Sequence, residues 1–302
     1  MTTVSHGIPA SEHDLTDIVI RAMGQSADAR SREVLASLVR HAHAFIRETR
    51  LTEAEFERGL EFVKGIGQEC SATKNEVVLA ADVLGFSTLV ALINNPTRPG
   101  QTAAALLGPF YRANAPECEL GECIARSTTP GGPLLVAGQV RDIDGRPIAG
   151  ATIDVWQASP VGLYENQDAQ QDDMNLRGKF RTDAQGRYHF RSVRPAGYPV
   201  PTDGPVGELL AFQKRHPYRP AHLHFMVSAL DHKTLVTQVF ADDSEHLESD
   251  VVFGTLKPLV GRFVEHRESD PSRRDVPAPY FTLDYDFVLE PGVQTFPAPP
   301  IP

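Results

Sequence analysis

The chain has only three cysteines, Cys70, Cys118 and Cys123, and one tryptophan, Trp156, in 302 residues. So odd and sparse a set does not make a disulfide framework, and a reducing cytoplasm is the expected compartment. Cys118 and Cys123 also lack zinc-knuckle spacing. No run of about 18 apolar residues occurs, so no membrane-spanning helix is expected. The first 14 residues hold no apolar stretch behind a basic start, so they do not read as a secretory signal. Positive charge is scarce too. The formal net charge is -10 and no Lys/Arg block interrupts it, so nucleic acid is not an expected partner.

What remains is ordinary globular material, 41% hydrophobic and 23% charged, enough for one large domain and a smaller one. The first hundred residues read as helix. From Arg30 to Arg47, Val34, Leu35, Leu38, Val39, Ala42, Phe45 and Ile46 recur every three or four positions, which predicts one buried stripe on an amphipathic helix. Thr52 and Glu55 form a capping-box pair ahead of a helix carrying Phe56, Leu60 and Val63. An apolar stretch from Val77 to Ile93 breaks at Gly85 into two short helices.

Beyond residue 100 the period becomes two. Leu134–Val140, Thr152–Trp156, Arg187–Val193, His222–Val227 and Thr234–Phe240 read as strands, separated by turns such as Asp144-Gly145. The fold class predicted is therefore α+β: a helical region over 1–100, then an antiparallel β-sandwich over 101–302. Residues 158–181 and 194–220 lack a clear period and read as long, function-bearing loops. The Pro-rich last thirty residues read as a surface wrap.

On a strand, i and i+2 share a face, so His222 and His224 present two imidazoles side by side, a ready pair of metal ligands. His41 and His43 sit in a helical stretch and diverge. His6, His13, His232, His246 and His266 stand alone. Two histidines leave a metal site incomplete. Asp242 or Asp243 would make a two-histidine, one-carboxylate Fe(II) site. Tyr164 and Tyr198, set among Gly and Pro in the long loops, would supply hard phenolate oxygens suited to Fe(III). A metal-free β-sandwich binding module is a third possibility, and residue types alone leave all three open.

The motifs resemble those of the intradiol ring-cleavage dioxygenases over nearly the whole chain. The resemblance rests on Leu107-Gly108-Pro109-Phe110-Tyr111, Gly162-Leu163-Tyr164, Arg177 to Asp183, Val193 to Asp203, and Tyr218 to His224. It implies an Fe(III) cofactor held by Tyr164, Tyr198, His222 and His224. It also implies a small aromatic diol or triol and O2 as reactants, with a homodimer that often holds a lipid at its helical interface. By the same resemblance Tyr198, Arg219 and Gln238 are catalytic: a base, a stabiliser of carbanion-like and oxyanion charge, and a group near the O2 step. The stretch Arg194 to Gly207 is similar to the subgroup that acts on benzene-1,2,4-triol. That implies a pocket of Leu79, Asp82, Leu107, Gly108, Pro109, Phe110, Val200, Pro201, Arg219 and Val252. Asp82 reads equally as a solvated acid or as an acceptor for the third hydroxyl.

Overall fold

The structure is a computed structural model that describes residues 7–24, 28–96, 98–270 and 276–301. His6 lies outside them. Two compact units divide at residues 64 and 65.

The first unit holds α1 (Glu12–Met23), α2 (Ala29–Thr49) and most of α3 (Glu53–Gln68). Asp28 caps α2 by accepting the Ser31 N–H at 2.7 Å. The capping box at α3 is formed: Thr52 N–H donates to Glu55 Oε2 at 2.9 Å and Glu55 N–H to Thr52 Oγ1 at 3.3 Å. Thr16 ties α1 to α2, meeting His43 Nδ1 and Arg47 Nη1 at 3.0 Å each. The stripe expected to be buried on α2 is not. Leu35 and Val39 are half-buried, while Val34, Leu38 and Phe45 are exposed, and no residue of α2 is fully buried. Three helices offer too little surface to cover that stripe.

The second unit begins with α4 (Glu76–Val83) and α5 (Phe86–Asn94). Gly85, at φ 74°, makes the left-handed break between them that other residues resist. The strands follow in chain order: β1 (Pro133–Asp142), β2 (Thr152–Trp156), β3 (Arg177–Arg181), β4 (Arg187–Val193), β5 (Tyr198–Pro199), β6 (Tyr218–Arg219), β7 (His222–Ser228), β8 (Leu235–Ala241), β9 (Val260–Gly261), β10 (Phe263–His266), β11 (Tyr280–Asp284) and β12 (Phe287–Leu289). One five-stranded sheet runs β3-β2-β7-β8-β9. The other runs β10-β11-β1-β12 with β4 also paired to β1. Pairing is mostly antiparallel, but β1–β11, β1–β12 and β8–β9 are parallel, so both sheets are mixed. Neither sheet closes into a barrel.

The core lies between the sheets. Phe180 of the first stacks on Phe190 of the second at 5.0 Å, and Phe225 meets Phe287 at 5.0 Å. Each of the four rings is at most 1% exposed. Deleting one such ring costs about 3–5 kcal/mol.

Three stretches hold more regular structure than expected. Residues 158–181 end in β3. Residues 194–220 contain the β5–β6 pair and a helix, α6 (Pro205–Phe212), started by Pro205 at its first turn. The Pro-rich tail does not simply wrap the surface: β11 lies between β10 and β1, with Tyr280 and Leu283 buried. Its Tyr-Phe-Thr-Leu run is strong β material that the surrounding prolines conceal. Among the described residues, no single helix is long and apolar enough to cross a membrane.

Candidate active site

The register of the first sheet builds the site. Partners directly opposite in adjacent strands share a face. Arg177 of β3 lies opposite Trp156 of β2, Trp156 opposite His224 of β7, and His224 opposite Gln238 of β8. These four form one transverse row on the side away from the core. His222 shares the face one step along, opposite Phe240. Leu223, Phe225 and Val227 point the other way and are fully buried in the core. The alternation in the sequence thus aims imidazole at one side and hydrocarbon at the other.

Above the row the loops deliver the phenols. Tyr164 caps a short 3-10 turn, Glu165–Gln167, and Tyr198 begins β5. Their hydroxyl oxygens lie 3.3 Å apart. The Nε2 atoms of His222 and His224 lie 3.1 Å apart. The Tyr198 ring is 5.5 Å from that of His222, and Tyr164 is 6.4 Å from His224. All four side chains are at most 4% exposed. Trp156 stacks on His224 at 4.9 Å and 13°, and Phe110 stacks on Tyr164 at 4.6 Å. Gly108 presses its backbone on His224: a Cβ there would sit 3.0 Å from Cε1, and φ is already 78°.

Electrostatics show what this arrangement accepts. Burial, then the Arg219 charge, pushes the His222 imidazole down to about 3. His224 is driven well below its ordinary value by burial and by His222. Both rings are therefore neutral at physiological pH. His222 Nδ1 donates to the Pro220 carbonyl at 2.7 Å, which leaves Nε2 as its lone-pair nitrogen. Burial also raises both phenols, Tyr164 far above the ordinary value. Ionised phenols here need a cation. Two imidazole nitrogens and two phenol oxygens gathered at one dry point fit a hard metal ion. Among the described residues, no cluster of three or more His, Cys, Asp or Glu forms a metal site. Asp242 instead accepts the Phe263 N–H, and Asp243 pairs with Arg194. A carboxylate-completed site is thus not assembled.

Arg219 stands beside the donors. Its Nη1 is 3.2 Å from His222 Nε2, and its Nη2 donates to Gln238 Oε1 at 2.9 Å. Burial alone would depress Arg219, but Asp250 together with Tyr198 and Tyr164 outweighs it and keeps the guanidinium charged. Gln238 is oriented by donating Nε2 to the Leu106 carbonyl at 2.8 Å.

A cavity of about 510 Å³ has Leu79, Pro109, Phe110, Val200 and Pro201 on its wall. Leu107 packs with the Phe110, Tyr164 and Tyr198 cluster behind it. Asp82, 4% exposed, shares α4 with Leu79 but lies off that wall, as does Val252. Burial raises Asp82 to about 6, opposed by a Ser87 hydrogen bond and the Arg219 charge. Sequence reasoning missed Leu163, Asn166, Gln167 and Thr202 on the wall, and Asp250 behind Arg219. None carries a pattern of its own, although Leu163, Asn166 and Gln167 flank Tyr164 closely enough to have been suspected.

Two packed sheets, with two imidazoles on one sheet face and two loop-borne phenols beside them, give a sandwich whose donor set fits a metal ion. A family model described as "Dioxygenase" matches residues 106–291, and one described as "Catechol dioxygenase N terminus" matches 28–102. The chain is 42% identical to the 6-chlorohydroxyquinol 1,2-dioxygenase of Cupriavidus pinatubonensis, over 93% of this chain and 98% of that one. It is 41% identical to a hydroxyquinol 1,2-dioxygenase of a Rhizobium species, over 92% and 95%. The solved hydroxyquinol 1,2-dioxygenase of Pseudomonas putida DLL-E4 superposes with a TM-score of 0.86 at 39% identity, over 93% of this chain and 99% of that one. The chain belongs to the intradiol ring-cleavage dioxygenases, enzymes that use iron. The metal-free binding module is thereby set aside.

Proposed function

We propose that this protein is a ferric dioxygenase that opens benzene-1,2,4-triol between its two adjacent hydroxyls. Both atoms of O2 enter the product, 3-hydroxy-cis,cis-muconate, a tautomer of maleylacetate. The observation that carries the reading is the meeting of Tyr164, Tyr198, His222 and His224 at one buried point. These four would hold the iron. Bound there, Fe(III) supplies Lewis acidity toward the two substrate oxygens and makes the ring reactive to O2.

The chain's residues do the rest. Tyr198 takes a proton from a substrate hydroxyl at its own Oη. Leu79, Phe110, Val200 and Pro201 clamp the ring and exclude water. Arg219, always charged, offsets negative charge that builds on the ring and its oxygens. Gln238 keeps the Arg219 fork in plane and faces the side on which O2 reacts. Asp82 accepts a hydrogen bond from the third hydroxyl, the group catechol lacks. Pro109 shares the cavity wall, and the family resemblance assigns Leu107, Gly108 and Val252 to the pocket although they lie off it.

Residues 1–100 act as a helical dimerisation and linker region and 101–302 as the catalytic domain of a cytoplasmic homodimer. Exposed apolar stripes support an interface: Val34, Leu38 and Phe45 in the first unit, and Phe86, Leu89, Val90 and Ile93 on α5 in the second. A lipid could share that apolar cover.

A second reading keeps the chemistry but takes catechol or a chlorocatechol. O2 uptake by the iron-loaded protein on triol and on catechol, corrected for triol autoxidation, separates the two. Fast uptake on triol alone supports the first reading. Faster uptake on catechol supports the second. No uptake on either overturns the substrate class.

A further inference from the structure

The fully buried arginine of the site row, Arg177, has no role in the scheme above. Its side chain is 1% exposed, and its Nε donates to Glu165 Oε1 at 2.7 Å, also 1% exposed. Glu165 directly follows Tyr164. The same Oε1 accepts Arg112 Nη1 at 2.8 Å. Arg177 Cζ lies 5.8 Å from the centre of the Tyr164 ring. Both Nη nitrogens of Arg177 are buried and find no hydrogen-bond partner among the described residues.

A purely structural ion pair is a poor account of this. Buried ion pairs add little stability over hydrocarbon of the same volume, and unmet buried donors cost more. The neighbouring charges do not cancel either. Arg112, Arg177 and Lys179 face two buried carboxylates, Glu165 and Asp154, with Lys179 Nζ 3.7 Å from Asp154. One positive charge is left over. Asp173, which also binds Arg112, is 76% exposed and largely screened by water. The ring that Arg177 covers is that of a tyrosine assigned above as an anionic iron ligand.

We propose that Arg177 is a positioning residue whose charge, anchored by Glu165, sets how strongly Tyr164 donates electrons to the iron. This rests on the ferric reading above. A cation set over the phenolate ring holds electron density on the phenolate. It therefore raises the energy needed to move an electron from Tyr164 to Fe(III).

The test is the visible charge-transfer band of the iron-loaded protein, with iron content measured on each sample. Arg177→Met should move the maximum to longer wavelength. Glu165→Gln keeps an acceptor for Arg177 but adds net positive charge, so it should move the maximum to shorter wavelength. Arg177→Lys should stay close to wild type. A packing role would shift or broaden Arg177→Met and Glu165→Gln alike. Shifts in one direction, or none at full iron content, overturn the proposal. If Arg177→Met does not fold, Glu165→Gln alone decides by its sign. A wild-type protein with full iron and no visible band would instead overturn the tyrosine-ligand reading itself.

Discussion

Arg219 and Asp250 are joined at two points, Nε to Oδ1 at 3.0 Å and Nη2 to Oδ2 at 3.1 Å, with side chains only 4% and 2% exposed. Asp250 is itself fixed by the Gly254 N–H at 3.0 Å and the Thr255 hydroxyl at 3.3 Å. The fork of Arg219 is thus locked in plane toward His222 and Gln238. Asp250→Asn keeps the volume but loses the charge, and kcat should fall about 10–100-fold with a smaller change in KM. Arg219→Lys keeps the charge but not the planar fork, and should cost about 10²-fold or more in kcat. Steady-state O2 uptake checks both, and an unchanged kcat for Asp250→Asn would remove Asp250 from the account.

The four donors predict a colour. Iron-loaded protein should be red-brown, because tyrosinate-to-Fe(III) charge transfer absorbs visible light. Tyr164→Phe should weaken that band, and His224→Ala should lower iron bound per chain. Chelation should bleach the wild type. A colourless protein carrying one iron per chain would be incompatible with tyrosinate ligands.

Much of this was legible in the residues because short-range rules produced it. His222 and His224 share a face by strand period alone, and the Gly85 break and Thr52–Glu55 cap follow from local backbone chemistry. The two tyrosines needed the family resemblance, since nothing local marks Tyr164 or Tyr198 as converging with a strand that follows later in the chain. Asp250 and the Arg177–Trp156–His224–Gln238 row were not legible, because register between distant strands is a tertiary property. The α2 stripe failed for a related reason: periodicity tells which side of a helix is apolar, not whether anything covers it.

Asp82 is a buried acid on the same helix as Leu79, raised to about 6 by burial. If it accepts the third hydroxyl, Asp82→Leu should lower kcat/KM for benzene-1,2,4-triol about 10–100-fold while leaving catechol nearly unaffected. The comparison within one variant removes any general loss of folding or iron. Equal losses on both substrates would make Asp82 a structural acid.

Asp154 supplies a stability prediction in which the sign matters. It is 2% exposed, takes the Tyr111 hydroxyl at 3.4 Å and lies 3.7 Å from Lys179 Nζ. Burial outweighs both partners and lifts it from 3.8 to about 6. A carboxyl raised in the fold favours folding below its unfolded value, where both states are protonated. That contribution is lost as pH rises from 3.8 through about 6, because the unfolded chain releases its proton first. Above that window the buried charge costs stability. Asp154→Asn keeps an acceptor for Tyr111 and removes the charge. It should be more stable than wild type at about pH 8, by about 1–3 kcal/mol, and lose that advantage near pH 4. Urea unfolding of the iron-loaded protein at both pH values measures the difference. An advantage of the same size at both would mean that the Asp154 charge is not what the fold is bearing.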